Sequence, residues 1–217
     1  ELLESQEIVS HSSAPQVYFH IIRNLFRRQH YFTYLFGASP AFDESFAPAH
    51  AERFRSHKKS TLYTPYATCL RLSDIGYTSK VQDALSISYD SLDAYAADLA
   101  NATSTTNPEY LAFSNQKDAQ LNANFLQVEN ELYRSFRIQQ RKNPNENLTT
   151  ALLQRGPSHI ENRLMDIDPE SPGGVCPHAA GFLHLAMIDT LQHKSPIFSH
   201  SEWQELSSIQ EAVVRRG

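Results

Sequence analysis

An apolar rhythm near the beginning of this chain sets the terms of its fold. Val17, Tyr18, Ile21, Ile22, Leu25 and Phe26 recur at the spacing of a single helix face. Ser13 can cap such a helix, and Pro15 suits its first turn. The helix is expected to run to about Phe36, where Gly37 stops it and Pro40 prevents its resumption. One apolar face on a long helix has to be buried, so the remaining elements must pack against it. Arg23, Arg27 and Arg28 fall on or near the other side and read as a solvated face.

Residues 43–60 carry scattered charge, including His57, Lys58 and Lys59, and read as a long surface loop. Leu70 and Leu72 alternate with Arg71 and Ser73, which predicts a strand-like fragment with Arg71 toward solvent. Asp74 to Gly76 reads as a turn, and Tyr77 after it either lines a pocket or covers an edge. Leu85, Ile87 and Tyr89 alternate with serines and predict a short strand. Asp90 or Ser91 then caps a helix bearing Leu92, Tyr95, Ala96 and Leu99. Residues 121–137 fit a helix and a strand equally well, and residues 142–147 form a loop. A short helical turn from Thr149 or Thr150 ends at Gly156. After a turn-rich break at 169–174, Pro177 opens a helix whose Phe182, Leu183, Leu185, Ala186, Met187 and Leu191 are expected to pack inward. Ser199 with Glu202, and Ser201 with Gln204, fit capping boxes for a last helix striped by Trp203, Leu206, Ile209 and Val213.

Charge and cysteine usage narrow the function classes. A net charge of -5 and a pI near 6.1 argue against a general nucleic-acid binder, which carries a basic field. Two cysteines, Cys69 and Cys176, are too few for a disulfide scaffold, so a reducing cytoplasm is the simpler setting. No apolar run reaches the ~18 residues of a membrane span, and no signal-peptide pattern opens the chain. The chain begins at Glu1 without Met and stops at Gly217 just after a helical pattern, which reads as a piece of a longer protein.

The chemistry centres on residues 159–168, HIENRLMDID. On a strand, Glu161 and Arg163 project from one face while Ile160 and Leu164 can enter a core. Such a pair is either a surface ion pair or part of a phosphoryl-transfer site, with the carboxylate on a divalent metal and the guanidinium on phosphate oxygens. Spacing within the stretch does not separate the two. Cys176, His178 and His184 lack the regular spacing and fourth ligand of a zinc site. No Gly-rich phosphate loop and no nucleophile elbow is present. The residues alone therefore read as a mixed α and β domain with a candidate anion and metal strand.

Five blocks taken in order extend this reading: YFHIIRN, YLFGASPAF, YTPYATCLRLSDIGYTSK, LNANFLQVENELY and HIENRLMDID. Their series closely resembles the bacterial glutamate–cysteine ligases, from about Tyr18 to Leu185. The resemblance implies an α+β fold related to glutamine synthetase, with many helices and part of a curved antiparallel sheet. It implies that residues 1–217 form the central part of a catalytic domain whose amino- and carboxyl-terminal parts lie outside this chain. It also implies ATP-dependent joining of the γ-carboxylate of L-glutamate to the amine of L-cysteine through γ-glutamyl phosphate, the first step of glutathione synthesis, with Mg2+.

Carried over residue by residue, the resemblance makes Glu161 the metal-binding glutamate and Arg163 the arginine on the transferred phosphate. It makes Arg71 a substrate-contacting arginine and places Tyr77 and Tyr133 near the cysteine substrate. Departures exist. The family usually has Arg-Pro-Lys after the second tyrosine, whereas Arg137 here is followed by Ile138 and Gln139. Asn162 and Leu164 flank Arg163, where an apolar and a small polar residue are preferred, and Cys176 stands where an acid is common. The alternatives are a carboxylate–amine ligase with another amine substrate, and a helical interaction module without catalysis.

Overall fold

The computed structural model describes residues 13–113 and 120–217. Helix α1 spans Ala14–Phe36, and the Ser13 amide donates to Gln16 Oε1 at 2.8 Å, half of a capping box. Its inner face buries Phe19, Ile22, Leu25, Phe26 and Phe32. Gly37 ends it in an extended conformation, with φ -66 and ψ 129, and not in the left-handed one. Close approach explains the glycine: a Cβ there would lie 2.6 Å from the Thr33 carbonyl oxygen and 2.8 Å from that of Thr68.

The segment expected to be a loop instead builds a small sheet. Strands β1 (Ala41–Asp43), β2 (Arg55–His57) and β3 (Thr61–Tyr63) pair antiparallel in the order β1-β3-β2. Buried Leu62 sits opposite both Phe42 and Ser56, and this central position holds the sheet in register. Leu70–Leu72 is a 3-10 turn and not a strand. After the short helix α2 (Lys80–Asp83), residues 85–89 are irregular and pair with no strand among the described residues. Tyr89 there is buried against Phe26, ring centroids 4.8 Å apart, so aromatic packing and not sheet pairing produces the alternation.

Helix α3 (Leu92–Ser104) is capped by Ser91, whose side chain accepts from the Ala94 amide, and α4 (Pro108–Leu111) follows. Most of residues 120–135 is irregular, with one 3-10 turn at Glu129–Glu131. Strand β4 (Phe136–Gln139) then pairs antiparallel with β5 (His159–Asn162). Between them α5 (Leu148–Arg155) ends at Gly156, which takes a φ of +72. Its first amides are met by Glu129, which accepts from Leu148 N and Thr149 N at 3.1 Å each. Helices α6 (Pro177–Thr190) and α7 (His200–Arg216) close the chain against α1.

One core joins these elements. Phe26 is its hub, with ring contacts to Tyr89, Phe136, Phe198 and Trp203. Burying a side chain of this size stabilises the fold by roughly 2–3 kcal/mol. Two expectations are corrected here. Arg23 is buried and not solvated, because its guanidinium donates to the carbonyls of Tyr89 and Ser195. Arg27 and Arg28 pair with Glu202 and Asp189. On α6, Leu185 faces outward and not inward, while Leu183, Ala186 and Met187 take the core side and the partly exposed Phe182 packs its ring on Phe32 and Phe36 of α1. Helices thus surround two small antiparallel sheets, an α+β architecture, and among the described residues no helix is long and apolar enough to cross a membrane.

Candidate active site

The β4–β5 register places Arg137 directly opposite Glu161. Strand alternation sends Phe136 and Ile138 into the core and leaves Arg137 and Gln139 on the Glu161 face. Glu161 Oε2 accepts from Arg137 Nε at 3.0 Å, Arg137 Nη2 at 2.6 Å and Gln139 Nε2 at 2.7 Å. Its other oxygen accepts from Arg163 Nε at 2.5 Å. Burial alone would raise the Glu161 pKa, but the hydrogen bonds from Arg163 and Arg137 outweigh it and hold the carboxyl below the usual range. The regular strand ends at Asn162, yet the Arg163 amide still donates to Ser135 O at 2.8 Å. Arg163 therefore keeps the side of Glu161, as alternation predicts.

A second wall comes from the turn after Leu70. The Tyr77 amide folds back to donate to the Arg71 carbonyl. Gly76 makes that return possible, because a Cβ there would collide with the Arg71 backbone. Tyr77 is thereby set against Tyr133, with ring centroids 4.5 Å apart. Tyr133 is anchored through its own amide, which donates to Gln82 Oε1 at 2.8 Å, while Gln82 Nε2 donates to Glu131 O. Arg163 Nη1 donates to the Tyr77 hydroxyl at 2.5 Å. The guanidinium carbons of Arg163 and Arg71 lie 5.7 and 5.9 Å from the centre of the Tyr77 ring, within cation–π range.

The structure thus brings together all five residues singled out in the sequence: Arg71, Tyr77, Tyr133, Glu161 and Arg163. Arg71 is corrected in one respect. It is half-buried and does not point freely to solvent, because Nε donates to Asp166 Oδ1 at 2.6 Å. Its Nη2 donates to the carbonyls of Arg163, Leu164 and Met165. Sequence reasoning passed over Arg137, Gln82 and Asp166. A lone arginine between Phe136 and Ile138 was the available signal, since a buried guanidinium requires a partner. Three guanidiniums facing two carboxylates leave this corner with a positive balance suited to an anionic group.

A divalent metal is a separate question. Magnesium asks for about six oxygen ligands in near-octahedral geometry. Among the described residues no cluster of three or more His, Cys, Asp or Glu side chains comes together. Both oxygens of Glu161 are already engaged by Arg137, Gln139 and Arg163. The described residues therefore do not fit a magnesium ion by themselves.

The sequence profile of the glutamate–cysteine ligase family matches residues 2–213. A glutamate–cysteine ligase of Leptospira interrogans is 48% identical over 202 residues, covering 93% of this chain and 39% of that protein. The Pseudomonas fluorescens enzyme of the same name is 37% identical, covering 92% of this chain and 38% of the relative. Among solved structures, the glutamate–cysteine ligase of Francisella tularensis in complex with AMP superposes with a TM-score of 0.90 at 30% identity, over 100% of this chain and 44% of that one. The chain thus spans less than half the length of these relatives.

Proposed function

We propose that this chain, which belongs to the glutamate–cysteine ligase family, carries one wall of the active site of an ATP-dependent ligase. In the whole protein the reaction joins the γ-carboxylate of L-glutamate to the amine of L-cysteine. A carboxylate oxygen attacks the terminal phosphorus of ATP, giving γ-glutamyl phosphate and ADP. The cysteine amine then attacks the acyl carbon and phosphate departs. On this reading residues 1–217 are the central part of the catalytic domain. A relative bound to AMP supports the use of a nucleotide.

One observation carries the reading: Arg163 is held at Nε by Glu161 and at Nη1 by Tyr77, beside the Tyr133 ring. A guanidinium fixed on two sides needs little rearrangement when charge develops on a transferring phosphoryl group. Arg71 adds a second positive group near the Tyr77 ring. Tyr77 and Tyr133 form an apolar face with two hydroxyls, suited to a small amino acid with a thiol side chain. Gln139, in the position where the family's basic residue is replaced, donates to Glu161. Its place in the network favours the catalytic reading over an interaction module. A metal role for Glu161 requires further acidic oxygens from outside the described residues. Both cysteines are unpaired, which suits a cytoplasmic setting.

Steady-state kinetics on the full-length protein test this reading. Tyr133→Ala should raise the cysteine KM by about tenfold while the ATP KM stays within about twofold. The 217-residue chain assayed alone should form no γ-glutamylcysteine. Equal effects on both KM values, or robust turnover by the isolated chain, would count against it.

A further inference from the structure

Asp166 is a buried carboxylate to which the reaction above gives no part. Its side chain is 3% exposed, and both oxygens are occupied. Oδ1 accepts from Arg71 Nε at 2.6 Å. Oδ2 accepts from the Ala38 amide at 2.8 Å and the Ser39 hydroxyl at 2.7 Å. The carboxylate therefore ties the 3-10 turn of Arg71 to the segment that follows α1. Arg71 passes the constraint on, because Nη2 donates to the carbonyls of Arg163, Leu164 and Met165 at 3.0, 2.8 and 3.1 Å.

An arginine presents its N–H groups in a rigid planar fork. Once Nε and Nη2 of Arg71 are engaged, Nη1 is the nitrogen that donates to no protein group among the described residues. The side chain as a whole is 32% exposed, which leaves part of it within reach of a ligand.

We propose that Asp166 is a positioning residue that holds the Arg71 guanidinium so that Nη1 alone is offered to a substrate carboxylate. Through the same arginine it fixes the main chain that carries Arg163. The assignment rests on the ligase reading given above. Without Asp166, Arg71 swings among several rotamers, and its geometry must be recovered on binding. The carboxylate stays ionised while it holds Arg71. Burial would raise its pKa, but hydrogen bonds from Arg71, Ser39 and Ala38 outweigh burial and lower it.

A double-mutant cycle in the full-length protein, with each substrate varied in turn, tests the assignment. Asp166→Asn keeps the shape and should raise the KM of one amino-acid substrate by about tenfold, leaving the ATP KM within about twofold. In an Arg71→Met background, Asp166→Asn should add less than about twofold, because its effect runs through Arg71. Ser39→Ala removes the hydroxyl's hydrogen bond to Oδ2, together with the acceptor of the Arg71 amide at 3.3 Å, and should raise the same KM by about two- to threefold. It carries the test if Asp166→Asn does not fold. Additive effects in the cycle, or normal KM values in both Asp166→Asn and Ser39→Ala, would overturn the assignment. A wild-type protein without ligase activity would instead defeat the functional reading, so the two failures are distinguishable.

Discussion

Arg137 and Glu161 face each other across the β4–β5 pair, and the arginine reaches Oε2 of the glutamate through both Nε and Nη2. Its Nη1 donates to the carbonyls of Asn130 and Leu132, so one buried side chain joins the strand pair to the irregular segment before it. Replacement by methionine leaves two carbonyls and part of a carboxylate without donors. Removing one partner of a fully buried pair costs about 3–5 kcal/mol. Glu161 is 29% exposed, and solvent screening brings the expected loss for Arg137→Met nearer to about 2 kcal/mol. Urea unfolding of the purified chain measures it, and a loss below about 0.5 kcal/mol would refute the role given to Arg137.

The acid limit of stability follows from Asp166 and Glu161. Both carboxyls are held below their ordinary values of 3.8 and 4.5 in the folded protein. Depressed values mean that the unfolded chain binds the more protons as pH falls. The stability they contribute is present above those ordinary values and is lost as pH drops through the lower folded-state values. Unfolding free energy should therefore fall steeply below about pH 4, and Asp166→Asn should flatten that slope. Urea titrations between neutral and acid pH check the sign. A variant with an unchanged slope would contradict it.

Much of the fold was legible where a local pattern and the tertiary packing agree. Helix α1 runs from Ala14 to Phe36 behind its Ser13 cap, as its spacing predicts, and Ile160 and Leu164 turn inward as alternation requires. Alternation alone puts Glu161 and Arg163 on one side, but it left a surface ion pair open, and only the family resemblance gave the pair a catalytic reading. Legibility failed where distant residues decide. Leu70–Leu72 alternates like a strand, but Gly76 and the returning Tyr77 amide close it into a turn. Residues 85–89 alternate because Tyr89 enters an aromatic core, and among the described residues no strand pairs with them. Arg137 and Asp166 became visible only once pairing brought Glu161 and Arg71 to them from 24 and 95 residues away.

Helix α6 leaves Phe182 partly exposed, its ring packed on Phe32 and Phe36 of α1, and presents Leu185 and Ile188 beside it to the outside. Their exposures are 42%, 67% and 47%, a contiguous apolar strip of the kind that drives association. The isolated 217-residue chain should therefore self-associate, and Leu185→Glu should reduce that association without lowering its melting temperature by more than a few degrees. Analytical ultracentrifugation across a concentration series gives the answer. A wild-type chain that remains monomeric throughout would contradict the expectation.

The ligase reading stands or falls on Arg163, which Glu161 and Tyr77 fix beside the place where charge would develop on a transferring phosphoryl group. The decisive quantity is kcat of the full-length protein carrying Arg163→Ala, with glutamate, cysteine and ATP saturating. Loss of such a group should lower kcat by about 100-fold or more. Circular dichroism and melting temperature close to wild type would establish that the variant is folded. A folded variant whose kcat stays within about threefold of wild type would contradict the role given to Arg163.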